Sequence, residues 1–163
     1  MIAVSYPSLF EVRPAAKIES WGELVAMLSD HRENTDKERA ALWSPVSLQT
    51  GGTRKNASVT AVNALVLDVD GGTAWRDLRP RLSGWDWIAY STHSHRQGAE
   101  RFHAVVRLPE PIKGEEWAAR YDGLKGLFGA GDSLRAPCHS YFVPQHQPGA
   151  EWFVEVGQKE VAR

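Results

Sequence analysis

Short stretches of alternating apolar and polar residues, typical of strands, occupy the second half of the chain and are separated by two amphipathic stretches of helical length. An apolar run before Asp68 predicts the first strand, and two later strands flank a polar loop that contains Gly98, as in a hairpin. The elements predicted here are strand Ala64–Val69, helix Thr73–Leu82 with Thr73 as N-cap, strands Trp87–Thr92 and Arg101–Leu108, helix Gly114–Phe128, strand Ser140–Val143 and edge strand Trp152–Val156.

This order, β-α-β-β-α-β, predicts an α+β fold with an RRM-like or ferredoxin-like core, in which the first and third strands are neighbours at the centre of the sheet. The N-terminal part predicts a smaller αβ extension, in which Ser20 and Glu23 have the spacing of a capping box. Its predicted elements are strand Ala3–Phe10, helix Leu24–His31 and strand Leu42–Val46. We expect one domain over residues 1–163, with an N-terminal subregion (1–56) and an RRM-like core (57–163).

Residues two apart in a strand share a face, so Asp68 and Asp70 are expected on the same side of the first strand. The same alternation predicts an apolar face that carries both helices and a polar face that collects acidic, basic and imidazole groups. Beside the two aspartates, the residues predicted on the polar face are Ser91, His93, His95, Arg101, His103 and Arg107. We interpret this face as a phosphate and metal site.

Two carboxylates held this close repel each other, and a divalent cation relieves the repulsion. Oxygen ligands favour Mg²⁺ or Mn²⁺ over zinc. A simple Asp-Gly-Gly turn would account for Asp70 but not for Asp68, which lies within the apolar run. A zinc site is the alternative, with His93, His95, Cys138 and His139 as its ligands, although their spacing matches no common zinc pattern.

Composition narrows the class of protein. The 163 residues are 42% hydrophobic and 24% charged, as in a globular domain, and the net charge of -1 excludes a basic surface over the whole molecule. Any nucleic-acid contact must therefore be local, and Arg54 and Lys55 are candidates for one. A single cysteine excludes an internal disulfide, and no apolar stretch is long enough for a membrane span, so we expect a cytoplasmic protein without membrane association.

Four motifs follow one another along the chain. They are Asp68-Val69-Asp70, then Tyr90-Ser91-Thr92-His93-Ser94-His95, then Arg101-Phe102-His103, and finally Asp132 ahead of a stretch that ends at Pro144. Over roughly residues 51–156 the chain resembles the archaeo-eukaryotic primase superfamily, specifically the small primase-polymerase domains of phage and plasmid replication proteins. One departure is His139, where relatives usually have an arginine.

The resemblance implies that Asp68, Asp70 and Asp132 are catalytic and hold two metal ions. It also implies contacts of Ser91, His93 and Arg101 with the triphosphate of an incoming nucleotide. We place His95 and His139 in the same nucleotide-binding set. Further candidates for DNA or phosphate contacts are Arg54, Lys55, His103 and Arg107.

The implied activity is template-directed nucleotidyl transfer by a DNA primase or polymerase, with Mg²⁺ or Mn²⁺, single-stranded DNA and nucleoside triphosphates, and with a helicase or other replication protein as a partner. Two alternatives stay open: a rolling-circle endonuclease of the HUH type with Tyr121 as nucleophile, and a non-catalytic DNA-binding initiator module. A phosphatase with a leading Asp-x-Asp-Gly-Thr motif is a third, from which Asp68-Val69-Asp70-Gly71-Gly72-Thr73 departs by one extra residue.

Overall fold

The computed structural model describes residues 1–159, so the last four residues of the predicted core range lie outside the described residues. Its strands are β1 (Ala3–Tyr6), β2 (Ala16–Ile18), β3 (Arg32–Glu33), β4 (Leu42–Ser44), β5 (Val46–Leu48), β6 (Val59–Val69), β7 (Trp87–Ser91), β8 (Phe102–Lys113), β9 (Tyr141–Phe142), β10 (Gln145–His146) and β11 (Val154–Gly157). Its helices are α1 (Trp21–Ser29), α2 (Trp75–Leu78) and α3 (Gly114–Gly126), and 3-10 turns occur at Lys37–Arg39, Asn56–Ser58 and Arg79–Leu82.

The main sheet has five strands in the order β11-β7-β8-β6-β5, and every pair in it is antiparallel. The predicted first and third strands of the core, β6 and β8, are neighbours at its centre, and β7 and β8 form the predicted hairpin. The α+β class and the central strand pairing are therefore confirmed. The predicted edge strand near the C-terminus is also confirmed, because β11 pairs with β7 at the edge of the sheet.

The predicted fourth strand of the core is wrong. Its residues form β9, which pairs with β4 in a second sheet of order β2-β1-β4-β9. The place beside β6 is filled by β5, which comes from the N-terminal subregion. The predicted strand Leu42–Val46 is divided at Pro45, whose nitrogen has no hydrogen for a ladder bond, and the chain crosses there from the second sheet to the main one.

Both faces of the main sheet are covered. Helices α2 and α3 pack on one face, where Leu65, Leu67 and Phe102 belong to the larger hydrophobic cluster. Helix α1 and the second sheet cover the other face, where Trp43 packs with Val66 and other buried residues. The predicted polar face is therefore wrong for most of the sheet, and polar side chains concentrate at one end only.

Helix boundaries follow local chemistry. The predicted capping box is confirmed in part, since Ser20 Oγ accepts the Glu23 N–H at 3.2 Å. Helix α2 has Ala74 as its N-cap, so the predicted N-cap at Thr73 is wrong. This helix also gives way to a 3-10 turn around Pro80, which cannot donate a backbone hydrogen bond.

Candidate active site

A cleft lies where the central strands of the main sheet end. Asp68 is the penultimate residue of β6 and Asp70 follows the strand, so both side chains point into the same cleft, as predicted. The other residues around it come from β7, β8, the hairpin loop, the N-terminal subregion and the segment of β9 and β10. They are Lys37, Tyr90, Thr92, His93, Ser94, Arg101, His103, Phe142, Val143 and Gln145.

A buried hydrogen-bond network on the interior side of the cleft holds the Asp68 carboxylate in place. Asp68 and His103 are in register on β6 and β8, and His103 Nε2 donates to the Asp68 carboxylate at 3.2 Å. His103 Nδ1 is 2.9 Å from the Tyr90 hydroxyl, which accepts the Trp43 Nε1–H at 2.9 Å and lies 3.2 Å from the Phe142 carbonyl. Because each buried polar atom has a partner, the carboxylate is held in one orientation.

The Asp68 carboxyl is kept ionised by this network. Burial raises its pKa. The hydrogen bond from His103 and the nearby His103 and His139 rings lower the pKa by a larger amount, so the net pKa lies below the ordinary value. A carboxylate that stays charged in a half-buried position can accept a cation at neutral pH.

Asp70 is more exposed, with 54% of its side chain accessible. Arg101 Nη1 lies 3.4 Å from Asp70 Oδ1, and the two side chains form an ion pair at the mouth of the cleft. Arg101 is therefore near the acidic pair, as predicted, where its guanidinium can also reach a phosphate group.

Asp132 reaches the site through its backbone. Its N–H donates to the Asp68 carbonyl at 2.8 Å, which fastens the loop after α3 against β6. The loop comes this close because Gly131, with φ +93°, leaves room for Leu67, whose Cα would be 3.2 Å from an added Cβ. The Asp132 side chain is exposed and does not line the cleft, so its carboxylate is not joined to Asp68 and Asp70.

The predicted position of Ser91 on the face of the aspartates is wrong. Tyr90, in register with His103, occupies that face, whereas Ser91 is in register with Phe102 and is fully buried. Ser91 Oγ accepts the Phe153 N–H at 3.0 Å, and His31 Nε2 lies 3.1 Å away. All five residues of β7 are buried, so alternation carried no information about which residues face the aspartates.

The two histidines of the hairpin loop have different surroundings. His93 lines the cleft, and its Nε2 donates to the Asn34 carbonyl at 2.8 Å. His95 does not line the cleft; its Nδ1 accepts the Arg101 N–H at 3.1 Å, and its ring packs edge-on against Phe153. His95 thus shapes the loop that carries Arg101.

His139 lies near the site without lining it. Its ring packs on Tyr141 at 4.8 Å, and burial lowers its pKa while the Asp68 charge partly offsets that effect. The alternative zinc site is not formed, because within residues 1–159 no three or more histidine, cysteine, aspartate or glutamate side chains cluster closely enough to hold a metal ion.

The remaining basic candidates lie outside the cleft. Arg107 lies in the middle of β8 and pairs with Asp86 at 3.5 Å. Arg54 donates to the Leu9 carbonyl at 2.6 Å and stacks over the Tyr6 ring, and Lys55 is exposed beside it. The structure does not bring these side chains to Asp68.

The geometry disagrees with two of the alternatives. Tyr121 is 1% exposed, and its hydroxyl donates to the Asp132 carbonyl at 2.7 Å and accepts the Leu134 N–H, so it is not placed as an endonuclease nucleophile. The phosphatase alternative requires a doubly wound parallel sheet, whereas the sheet that carries Asp68 is antiparallel.

Sequence reasoning missed seven residues that line the cleft: Lys37, Tyr90, Thr92, Ser94, Phe142, Val143 and Gln145. Lys37 lies far from the four motifs along the chain, Gln145 comes directly after the last of them, and no periodicity marks either residue. Tyr90 belongs to the motif Tyr90-Ser91-Thr92-His93-Ser94-His95, and a tyrosine within a predicted strand was the signal that could have found it, because a buried tyrosine hydroxyl usually has a hydrogen-bond partner.

The donor set of the cleft fits a hard divalent cation. Two carboxylates supply oxygen ligands, and one of them is kept ionised. Magnesium is usually bound by one or two carboxylates together with substrate phosphates and water, not by a closed cage of protein ligands. Two cleft carboxylates are therefore sufficient for such a site.

The fold and site define an α+β domain with an antiparallel sheet and a pair of acidic side chains at the end of its central strand. The sequence profile of the VapE N-terminal domain matches residues 46–159, more than half of the chain, and the chain belongs to this family. The resemblance to primase-polymerase domains of phage and plasmid replication proteins is thereby confirmed.

A solved structure has the same fold. It is the AEP domain of the primase-polymerase (PrimPol) of cyanophage S-2L, which superposes with a TM-score of 0.52 over 99% of this chain and 84% of that chain, at 16% sequence identity. No curated protein matches the chain significantly. Among residues 1–159, no helix is both long enough and apolar enough to cross a membrane.

Proposed function

We propose that this domain is a template-directed nucleotidyltransferase, a primase or polymerase that acts in the replication of a phage or plasmid. The observation that carries the proposal is the cleft in which Asp68 and Asp70 face Arg101 and His93. Membership in the VapE N-terminal domain family and the fold shared with a phage primase-polymerase support it.

In this proposal Asp68 and Asp70 hold Mg²⁺ or Mn²⁺, and the exposed Asp132 carboxylate joins them when substrate is present. The cation, when bound, neutralises charge on the phosphates and activates the attacking hydroxyl. Arg101 and His93 hold the triphosphate, and the backbone bond between Asp132 and Asp68 keeps the loop after α3 at the cleft. Single-stranded DNA is the proposed template.

His103 and Tyr90 are proposed as positioning residues. They fix the Asp68 carboxylate with one oxygen engaged by His103, which leaves the other oxygen free to contact a cation. Ser91 has no contact with nucleotide in this proposal, because it is buried and bonded to Phe153.

The test is incorporation of labelled nucleotide on single-stranded DNA with Mg²⁺ or Mn²⁺. We expect Asp68→Ala and Asp70→Ala each to lower the rate by about 1,000-fold or more, because each removes a ligand of the cation that stabilises the negative charge of the transition state. Asp77→Asn, which changes an exposed carboxylate on α2, is the matched control and should keep wild-type activity.

Two outcomes would contradict the proposal. One is wild-type incorporation by both Asp68→Ala and Asp70→Ala. The other is wild-type protein that binds DNA in EDTA and incorporates no nucleotide at any metal concentration, which would identify the non-catalytic initiator module.

A further inference from the structure

One wall of the cleft comes from the N-terminal subregion. The family profile begins at residue 46, yet Lys37, in a 3-10 turn ahead of it, lines the cleft together with Asp68 and Asp70. This wall is therefore a feature of the chain that the family match does not describe.

Three side-chain hydrogen bonds hold this wall in place. His93 Nε2 donates to the Asn34 carbonyl at 2.8 Å, and Asn34 Nδ2 donates to Gln145 Oε1 at 2.7 Å. Gln145 Nε2 in turn lies 3.4 Å from the Lys37 carbonyl, and Gln145 is 2% exposed. Residues 34–37, which we name the clamped loop, are thus fastened to the rest of the site at both ends.

Lys37 differs from the other cation that lines the cleft in having no acidic partner among residues 1–159. Arg101, the other permanent cation that lines the cleft, already pairs with Asp70. Lys37 is exposed and forms no ion pair with any acidic side chain in residues 1–159, although two aspartates line the same cleft. An ammonium group at this place is available to an anionic ligand, and the ligand that the aspartates and their cation would bind carries phosphates.

We propose that Lys37 binds the triphosphate of the incoming nucleotide and that the clamped loop positions it for that contact. This inference rests on the proposed function. It assigns part of nucleotide recognition to the segment before residue 46, and it places the triphosphate between Lys37 on one wall and Arg101 on the other.

Binding without turnover tests the proposal. Calorimetric titration with an α,β-imido nucleoside triphosphate and Mg²⁺, in the absence of DNA, should show about tenfold weaker binding for Lys37→Ala, as expected for loss of a partly exposed charge-assisted contact. Lys37→Arg should bind within about twofold of wild type, because it keeps the charge. Lys17→Ala, which changes an exposed lysine on β2, is the matched control.

Two further arms identify what Lys37 contacts. Inorganic tripolyphosphate should compete with the analogue on wild-type protein and compete about tenfold less well on Lys37→Ala, since the contact is to phosphate and not to the base. Affinity for single-stranded DNA, measured by fluorescence anisotropy without nucleotide, should be the same for both proteins.

The outcomes separate the two proposals. Wild-type affinity of Lys37→Ala for the analogue would overturn the role of Lys37 while leaving the proposed function intact. A loss confined to single-stranded DNA would overturn it in favour of a template contact. Absence of nucleotide binding by the wild-type protein would overturn the proposed function and this inference with it.

Discussion

At the scale of single residues, Asp68 depends on groups that are buried beneath it. His103 contacts the carboxylate, Tyr90 contacts His103, and Trp43 donates to Tyr90 from the second sheet. Burial raises the pKa of Tyr90 well above its ordinary value, so the phenol stays protonated and available for hydrogen bonding. A substitution at Tyr90, which reaches Asp68 only through His103, should therefore lower the free energy of unfolding.

Tyr90→Phe is expected to lower the free energy of unfolding by about 1–3 kcal/mol, because it leaves the buried Trp43 N–H and His103 Nδ1 without their partner. Urea unfolding measures the change. Tyr141→Phe is the control, since this tyrosine is also buried and its hydroxyl makes no hydrogen bond to another residue in 1–159. Equal stability of the two variants would show that the network contributes nothing.

At the scale of elements, helix α3 is docked by a close approach at its first residue. An added Cβ on Gly114 would lie 2.3 Å from the Val59 carbonyl oxygen, at the start of β6, and neither backbone can move freely there. Gly123 lies in the same helix, and an added Cβ there meets nothing within 4 Å. Alanine at Gly114 therefore tests the close contact with Val59, whereas alanine at Gly123 tests helix propensity alone.

Gly114→Ala should destabilise the protein by about 1–3 kcal/mol through overpacking. Gly123→Ala should stabilise it by up to about 1 kcal/mol, because alanine is the better helix former. Urea unfolding of both variants measures the difference, and destabilisation of the same size in both would rule out close docking at Gly114.

At the scale of the whole molecule, His31 joins the N-terminal subregion to the main sheet. His31 Nε2 donates to the Ser91 carbonyl at 2.9 Å, and His31 Nδ1 is 2.9 Å from Nδ1 of His146. The His31 ring also stacks on Trp152, with the ring centroids 4.7 Å apart. Burial lowers the pKa of His31 to about 4, against the opposing effect of the Ser91 carbonyl, and His146 and His95 lower it further.

Stability should fall in acid because of this histidine. The unfolded chain binds a proton near pH 6.5 and the folded protein only near pH 4, so the unfolded state holds more protons between these values. The contribution of unprotonated His31 to the free energy of unfolding is complete above pH 6.5 and is lost as the pH falls towards 4. We expect a loss of about 1–2 kcal/mol, reduced by solvent screening because the ring is only partly buried.

Urea unfolding of wild type and His31→Gln at several pH values between 7.5 and 4 checks this prediction. The variant cannot gain a proton at this position, so its stability should change less with pH than that of wild type. Parallel profiles for the two proteins would show that His31 does not carry the pH dependence.

The sequence determined what depends on local periodicity and local chemistry. The β6 strand ends at paired carboxylates because an apolar run leads directly into Asp68 and Asp70, and the β7–β8 hairpin follows from two strand patterns around a glycine-containing loop. Antiparallel pairing of β6 with β8 then places His103 beside Asp68, as the predicted topology requires. These features need no knowledge of what covers the sheet.

Only the tertiary structure decided which side chains of β7 face Asp68, which strand lies beside β6, and that Lys37 reaches the cleft. A strand that is buried on both faces has no polar alternation, so Tyr90 and Ser91 could not be assigned from their neighbours in sequence. Strands β4 and β5 belong to different sheets because the chain crosses between the sheets at Pro45, and Lys37 is held by Gln145 from far along the chain. Such contacts arise from long-range packing, and residue patterns within a short window contain no record of it.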